Sequence, residues 1–208
     1  MNLDECRSLY FTVTFVLALI LASPALSRIL VYPRTEFFTE LWILDEDHRA
    51  ENYPFNITRN QKYTIFLGLR NRLGHCAYYL VCVKFRNQTQ PSPTSFGPIE
   101  NRTPSPLPSL YNISVFVADE QTLELPLTFS FDYSYDKNYS RVIFKNLKLN
   151  GTLLDLSSFT VKWDSTRNGF YGFLFFELWL YNRTSERFQY HGRFVGLWLN
   201  MTKLESTG

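Results

Sequence analysis

The residues of this chain with the most explicit chemistry are asparagines that stand two positions before a serine or threonine. In such an Asn-x-Ser/Thr triplet the side-chain amide of Asn accepts an N-linked glycan when the chain is exported. The 208 residues include 14 Asn and 33 Ser or Thr, from which chance predicts about two triplets, yet there are eight. Enrichment of Asn and Thr in turns is the alternative explanation. We predict glycosylation at Asn56, Asn87, Asn101, Asn112, Asn138, Asn150, Asn182 and Asn200.

Patterns for catalysis or metal binding are weaker. The cluster from Asp45 to His48 could offer carboxylates to Ca²⁺, but it lacks the alternating spacing and the Gly of a calcium loop, so we expect a solvated turn. The His and Cys residues do not occur at metal-ligand spacing. The two carboxylates of a glycoside hydrolase meet in space rather than in sequence, and the residues to check are Asp45, Asp47, Asp164 and Glu177. We expect no enzyme activity, no catalytic residue, no cofactor and no metal.

Aromatic side chains offer a binding chemistry of their own, since exposed rings can stack on sugars. Trp163 precedes the polar segment 164–169, and we predict that it is an exposed platform for a ligand. The other tryptophans, Trp42, Trp179 and Trp198, each lie inside an apolar run and are expected in the core. A carbohydrate-binding module of the cell envelope is therefore one alternative function.

The N-terminal region predicts export. Residues 9–26 are 18 consecutive uncharged and mostly apolar residues, about the minimum length of a membrane-spanning helix. We predict a cytoplasmic leader over residues 1–8 and a single transmembrane anchor over residues 9–31, with the rest of the chain outside the cell. A signal peptide is the alternative, because Ala25-Leu26-Ser27 has the small-x-small form of a cleavage site, and the protein would then be secreted. The acidic leader favours the anchor.

The charge balance limits the partners. The formal net charge of +2 comes from 21 basic and 19 acidic side chains, without a block of Lys or Arg. A nucleic-acid-binding protein would show a stronger positive footprint, so we expect no nucleic-acid partner. The expected partners are the membrane and the proteins or glycans of the envelope. An accessory subunit of a membrane complex is a further alternative.

The elements that must position these residues are strands. From Leu123 to Tyr135 apolar and polar side chains alternate, as in a strand with one wet face. Further strands are predicted over residues 36–44, 62–70, 76–86, 112–118, 141–149, 152–161, 170–181 and 188–199. Pro126 places its strand at a sheet edge or bends it. The prediction is a mainly β chain, with an Ig-like antiparallel β-sandwich over residues 35–200 and a tail over residues 201–208.

Two irregular features belong to this domain. Residues 88–110 hold six of the ten prolines, which predicts an exposed, partly extended loop. Cys76 and Cys82 are six positions apart on one predicted strand, so their Cα atoms stand about 20 Å apart, too far for a disulfide. We expect both cysteines to be buried as small apolar residues.

Three segments together resemble one protein family. They are TEFFTELWILDEDHRAENYP (residues 35–54), IFLGLRNRLGHCAYYLVC (65–82) and FQYHGRFVGLWLN (188–200). As a set they are similar to the archaeal family known as domain of unknown function 1616, whose members are membrane proteins without an established activity. The motif positions that carry the resemblance are Glu51, Asn52, Tyr53, Pro54, Gly68, Asn71, Leu197 and Trp198.

The resemblance implies an outward-facing, Ig-like β domain of an archaeal envelope, with a structural or protein-interaction role. Family members often carry several membrane segments where this chain has one, so functions of that portion do not transfer. The motif residues have structural roles first. Tyr53 is held extended by the proline that follows it. Gly68 lets a ring or backbone approach closely, and Asn71 is expected to hold the left-handed turn of a hairpin.

Overall fold

The computed structural model describes residues 3–29, 36–94 and 97–203. The chain divides into two compact units, residues 1–37 and 38–208. The first unit contains helix α1 (Leu3–Ile29), which includes Pro24. A search of the described residues finds no helix that is both long and apolar enough to cross a bilayer. The end of the predicted anchor (residues 30 and 31) and most of the predicted tail (204–208) lie outside the described residues.

The second unit is a mainly β domain. Its described residues form β1 (Phe38–Leu44), β2 (Asn56–Ile57), β3 (Tyr63–Arg72), β4 (Ala77–Arg86), β5 (Tyr111–Val117), β6 (Thr122–Asp136), β7 (Arg141–Leu149), β8 (Thr152–Asp155), β9 (Thr160–Lys162), β10 (Tyr171–Asn182) and β11 (Arg187–Met201). The predicted strands are confirmed to within two residues, with one exception. The run 152–161 is two short strands, because the Asp155 carboxylate accepts the Ser157 backbone N–H (2.8 Å) and turns the chain.

The strands form two sheets that pack face to face. Sheet A has the order β1-β3-β6-β7-β8, with β9 also paired to β7, and sheet B has the order β2-β11-β10-β4-β5. Neighbouring strands are antiparallel except for β2 and β11, which are parallel. The chain passes from sheet A to sheet B after β1, β3 and β9, and it returns to sheet A after β2 and β5. The predicted two-sheet β architecture is therefore confirmed.

Pro126 lies in the part of β6 that pairs with only one other strand, β3. Pro126 pairs with Phe66 of β3, whereas the pairing of β6 with β7 begins only at Phe129. The missing N–H of proline therefore costs no ladder bond on the second side. The Pro126 carbonyl accepts a hydrogen bond from the Asn150 side chain (3.2 Å), so the second side is not left unsatisfied.

The core between the sheets is built from aromatic rings. The Phe85 ring of β4 lies 5.4 Å from Phe131 and 5.0 Å from Phe144 of sheet A, measured between centroids. Gly172 of β10 makes room for this ring, because a Cβ there would collide with Phe85. Strand β10 is buried without interruption from Tyr171 to Leu178, because it is the middle strand of sheet B and is covered on both faces.

The prediction that three tryptophans fill the core is wrong. Trp42, Trp179 and Trp198 are half-buried. Their apolar runs still alternate, and in β1 the neighbours of Trp42 face the core while its indole faces away. That indole covers Gly68 of β3, where a Cβ would collide with it. The close approach predicted at Gly68 is thereby confirmed.

Candidate functional site

The eight acceptor asparagines all reach solvent in the described domain. Asn56, Asn101, Asn112, Asn138 and Asn150 are exposed, and Asn87, Asn182 and Asn200 are half-buried. The buried asparagine among the described residues, Asn71, does not belong to an Asn-x-Ser/Thr triplet. A glycan needs an acceptor that an enzyme can reach, so this distribution suits the chemistry predicted from the sequence.

The acceptor amides differ in what they already bind. The Nδ2 of Asn87 donates to the Thr160 carbonyl (3.1 Å), and that of Asn182 donates to Gln189 Oε1 (3.1 Å). Asn150 Nδ2 is similarly engaged with the Pro126 carbonyl. N-glycosylation replaces one of the two hydrogens of this same nitrogen, so a glycan at these three acceptors must be attached beside an existing contact. In the described residues, the Nδ2 atoms that make no such bond belong to Asn56, Asn101, Asn112 and Asn138.

Two acceptors contact each other. Asn200 donates from Nδ2 to Asn56 Oδ1 (3.0 Å), where β11 and β2 run parallel. Asn200 Oδ1 also accepts the backbone N–H of Phe170 (3.0 Å). Both the nitrogen and the oxygen of the Asn200 side-chain amide therefore make hydrogen bonds within the domain. Asn56 uses only its oxygen in this contact, and its Nδ2 stays available for a glycan.

A row of aromatic side chains crosses the outer face of sheet B. It consists of Phe116, Tyr78, Tyr181 and Phe188, one from each of β5, β4, β10 and β11; we call it the aromatic row. Tyr78 and Phe116 are register partners whose rings stack at 4.1 Å and 9°. Tyr181 and Phe188 are also register partners (5.4 Å), and Tyr78 lies 5.1 Å from Phe188. Phe116 is 70% exposed, so the row ends in open solvent.

The aromatic row borders a groove of about 700 Å³, which we call the row groove. Polar side chains from three chain segments complete its lining, namely His75, Cys76, Asn182, Arg183, Gln189 and His191. The groove therefore joins flat rings to hydrogen-bonding groups, as small-ligand sites do. Sequence analysis missed it because the rings are far apart in the chain. The available signal was the β10–β11 hairpin, whose turn at 182–187 predicts that residues 181 and 188 pair.

His191 connects the groove to a polar network between the sheets. Its Nε2 is hydrogen-bonded to Thr39 Oγ1 (3.0 Å), which is bonded in turn to the Tyr79 hydroxyl (2.9 Å). Burial, assisted by the positive charge of Arg193, lowers the pKa of His191 from 6.5 to about 4. The imidazole at the groove is therefore neutral at pH 7.

Asn71 ends this network. The Tyr79 hydroxyl donates to Asn71 Oδ1 (3.1 Å), and Asn71 Nδ2 donates to the carbonyls of His75 (2.8 Å) and Val117 (2.9 Å). Asn71 thus ties β3 to β4 and β5. The expectation that it holds the left-handed turn of a hairpin is wrong, since β3 and β4 lie in different sheets and the left-handed residue of their connection is Gly74 (φ 78°).

Cys76 also departs from expectation. Cys76 is exposed beside the groove, whereas Cys82 is buried, and both are free thiols. The β3–β4 turn lifts Cys76 out of the strand, because β4 begins only at Ala77. The sequence reading extended the strand by one residue and so misplaced this side chain.

The proline-rich loop is anchored to sheet B rather than fully exposed. Ser105 is buried and donates its backbone N–H to Glu177 Oε1 (2.7 Å), while its carbonyl accepts a hydrogen bond from Lys84 Nζ (2.7 Å). Lys84 and Glu177 themselves pair at 2.8 Å across β4 and β10. The two buried charges therefore pair with each other, and one loop residue adds a hydrogen bond to each of them.

The carboxylates considered for hydrolysis have separate structural roles. Asp45 accepts the backbone N–H groups of Asp47 (3.0 Å) and Arg49 (2.8 Å), which makes the 45–48 segment the expected turn. Asp164 Oδ1 caps its own turn by accepting the Thr166 N–H (2.9 Å). Glu177 lies under the loop. A search of the described residues finds no group of three His, Cys, Asp or Glu that could hold a metal ion.

Trp163 is not the exposed ring that a ligand platform requires. It is half-buried, with its ring against Phe170 (4.9 Å between centroids) and the Lys203 ammonium 4.4 Å above it. Trp198 has comparable cover, since Arg86 and Arg167 lie 5.0 and 5.2 Å from its ring. Both tryptophans bind their own chain's cations.

The remaining motif residues support the connection from β1. Tyr53 donates its hydroxyl hydrogen to the Ile43 carbonyl (2.7 Å), which holds the segment against β1. Asn52 takes a left-handed conformation (φ 52°), and Glu51 pairs with Arg49 at the surface (3.1 Å).

Comparison with protein-family models gave no match, and comparison with curated proteins gave none either.

Proposed function

We propose that this protein is an outward-facing, N-glycosylated β domain that acts as an interaction module of the cell envelope. The accessible placement of all eight acceptor asparagines carries the proposal. Because Asn71 is the one buried asparagine among the 13 that the structure describes, accessibility supports the proposal only together with the excess of triplets over chance. The placement is the one that export and glycosylation would require.

Membrane attachment through the N-terminal region is part of the proposal. Helix α1 has 27 residues, and at 1.5 Å per residue it is about 40 Å long, more than the roughly 30 Å of a hydrocarbon core. Its residues 9–24 are uncharged and exposed. Either the helix stays as a single-pass anchor, or cleavage near Ser27 releases the domain; both outcomes put the domain outside.

We further propose that the chain is a member of the archaeal domain of unknown function 1616 family, with an Ig-like sandwich. The motif residues have consistent structural roles in support of this, in particular Gly68 beneath Trp42 and Tyr53 bound to β1.

The surface proposed for interaction is the end of the domain that holds the row groove. The turns at 73–76, 118–121 and 183–186 meet there. One acceptor triplet lies at this end, and the nitrogen of its Asn182 is engaged with Gln189. Glycans at the other acceptors would shield strand edges, and an unmodified Asn182 would leave this end bare.

Peptide mapping of the protein from native membranes, before and after deglycosylation, tests the proposal. We expect glycans on several of the eight asparagines. Intact mass then separates the two forms, because the anchored form retains residues 1–28 and the secreted form begins near Arg28. Eight bare asparagines would contradict an outside location.

A further inference from the structure

We propose that the open seam between the two sheets binds a single-chain amphiphile with an anionic head, such as a long-chain carboxylate. The seam lies between β1 and β11, which form edges of sheets A and B. Among the described residues β1 pairs only with β3, and residues 187–199 of β11 pair only with β10. The inference goes beyond the proposed function, because it concerns a surface other than the row groove and does not depend on glycans.

An apolar groove follows the seam, and we call it the seam groove. Its volume is about 690 Å³, and its lining contains no charged side chain. Five consecutive residues of β11 (194–198) line it, so the groove follows that strand for about 13 Å. Residues 41–43 of β1 line it as well. A linear apolar chain can therefore lie along β11 and remove side chains of both edge strands from water.

Two arginines stand at one end of the seam groove. Arg102 and residues 192–194 line a smaller pocket of about 120 Å³, which we call the arginine pocket. Leu41 and Phe194 belong to both linings, so the arginine pocket adjoins the seam groove. Its volume of about 120 Å³ is that of about four water molecules in the liquid, enough for a carboxylate. Its lining contains no acidic side chain.

A bulge in β11 brings the two guanidinium groups to this pocket. The pairing of β10 with β11 skips residues 191 and 192, so these are extra residues of β11. At the bulge the Gly192 carbonyl accepts a hydrogen bond from Arg102 Nη1 (3.0 Å). Arg102 Nε also donates to the Gly97 carbonyl (3.1 Å). Arg102 is thereby held beside Arg193, the residue that follows Gly192.

Neither arginine of the pocket has a carboxylate partner among the described residues. The Arg193 side chain makes no hydrogen bond there, and the carboxylate of Glu40 pairs instead with Arg72 (3.0 Å). Burial, together with the positive charge of Arg102, lowers the pKa of Arg193. A guanidinium nevertheless stays charged at neutral pH. An anion between the two groups would reduce their repulsion and accept charge-assisted hydrogen bonds from both.

The arrangement and the volume favour an amphiphile over other ligands. Residues 192–194 of β11 line the charged compartment and residues 194–198 line the apolar one, so head and chain follow the strand in order. A sugar or nucleotide would leave polar groups against the apolar lining. The two volumes together stay within the range of small-ligand sites, about 300–1,000 Å³. A stable protein interface would need about 800 Å² on each partner.

One predicted glycan acceptor adjoins the arginine pocket. Asn101 directly precedes Arg102, but its side chain is exposed and lines neither compartment. A glycan there could still obstruct access to the pocket. Asn101→Gln removes the acceptor without adding charge, so every protein in the test carries this change.

The test is photo-crosslinking of the full-length protein in phosphatidylcholine nanodiscs. The probe is a long-chain carboxylate with a diazirine near the end of its chain, used below saturation at pH 8, where the carboxylate is ionised. Peptide mapping after illumination should find labels in β1 and in the second half of β11. Excess palmitate should remove them, whereas acetate should not, because it lacks the apolar chain. The alcohol with the same diazirine should label these strands about tenfold less.

Arg193→Gln should lower the labelling of β11 about tenfold, because it removes one charged donor from the head group. Arg193→Lys keeps the charge and should retain most of the labelling. Arg187→Gln, an equal change of charge at an exposed position of the same strand, should leave it unchanged. An unchanged thermal midpoint of Arg193→Gln separates loss of binding from loss of fold.

Three results would overturn the inference. Equal labelling of β1 and β11 by the acid and the alcohol would mean that the seam only touches the bilayer. Competition by acetate as strong as that by palmitate would reduce the site to an anion pocket. Equal labelling of Arg193→Gln and its parent would remove the head-group contact. None of these results bears on glycan occupancy, so the proposed function is tested separately by its own peptide mapping.

Discussion

Lys84 Nζ lies 2.8 Å from Glu177 Oε2, and both side chains are buried on the outer face of sheet B beneath the proline-rich loop. The pair binds both backbone groups of Ser105, one to each charge. A buried ion pair of this kind stabilises little by itself, but removing one partner strands the other. The pair therefore determines where the loop rests.

Glu177→Gln leaves the Lys84 charge buried without a counterion. We expect it to lower the free energy of unfolding by about 3–5 kcal/mol, measured by urea denaturation. Lys84→Met combined with Glu177→Leu should cost less than the two single changes added together. Asp47→Asn, which breaks a surface pair with Arg49, should leave the urea midpoint unchanged. If the destabilisation by Lys84→Met and that by Glu177→Leu simply add in the double variant, the two side chains are not coupled.

Glycan occupancy should differ between two asparagines in contact. We expect Asn56 to carry a glycan and Asn200 to be largely bare, because the Asn200 nitrogen is held by Asn56 and its oxygen by Phe170. Glycopeptide mass spectrometry gives both occupancies from one sample. High occupancy at Asn200 with a bare Asn56 would reverse the assignment.

The same contacts predict a stability effect that does not depend on sugar. In deglycosylated protein, Asn200→Ala should lower the free energy of unfolding by about 1–3 kcal/mol, since the Phe170 N–H loses its acceptor. Asn138→Ala, at an exposed turn position, should change it by less than about 0.5 kcal/mol. Equal effects of the two changes would argue against a structural role for Asn200.

Gly68→Ala should displace the Trp42 indole, because the new methyl group would occupy its position. Overpacking of this kind costs about 1–3 kcal/mol. Tryptophan fluorescence should shift to longer wavelength as the indole gains solvent. Trp42→Leu in the Gly68→Ala background should recover part of the loss, and a double variant worse than both singles would contradict this explanation.

The low pKa of His191 predicts acid sensitivity. Its folded pKa of about 4 lies below the ordinary 6.5, so the unfolded chain binds the proton more tightly. Stability from this group is complete above pH 6.5 and is lost as the pH falls toward 4, by at most about 3 kcal/mol. The urea midpoint of unfolding should therefore decrease as the pH is lowered from 6.5 to 4. His191→Gln should make this decrease smaller. His75→Gln, at an exposed position, is the control.

Two of the three cysteines, Cys76 and Cys82 of the β domain, should react at very different rates. Cys76 is exposed, whereas Cys82 is buried and burial raises the pKa of its thiol. Iodoacetamide at pH 8 should modify Cys76 in the native protein and reach Cys82 only after unfolding. Peptide mapping distinguishes them, and rapid native labelling of Cys82 would show that β4 opens.

Side-chain patterning was enough to predict most strands of this domain, by alternation in β6 and by an apolar run on both faces in β10. It failed where a residue's environment depends on distant segments. Trp42 lies in an apolar run that predicts a core position, but its indole packs on Gly68, 26 positions later in the chain, on the outer face. Ser105 sits in a proline-rich stretch that looks fully exposed, and only the Lys84–Glu177 pair explains its burial.

The candidate site was less predictable than the fold for the same reason. The acceptor asparagines are local triplets, so the sequence contains them completely. The aromatic row depends on register between four strands, and three of its contacts join residues that are remote in the chain. Tyr181 and Phe188, on either side of a short turn, were the one pair within reach of local inference.

The contact between Asn200 and Asn56 has a kinetic consequence. It joins residues 144 positions apart and exists only once β11 has paired with β2. A transferase that reaches the chain before that pairing meets a free acceptor at Asn200, and one that arrives later meets an occupied amide. The fraction of molecules modified at Asn200 is thus a record of which event came first, the closing of the domain or the transfer of sugar.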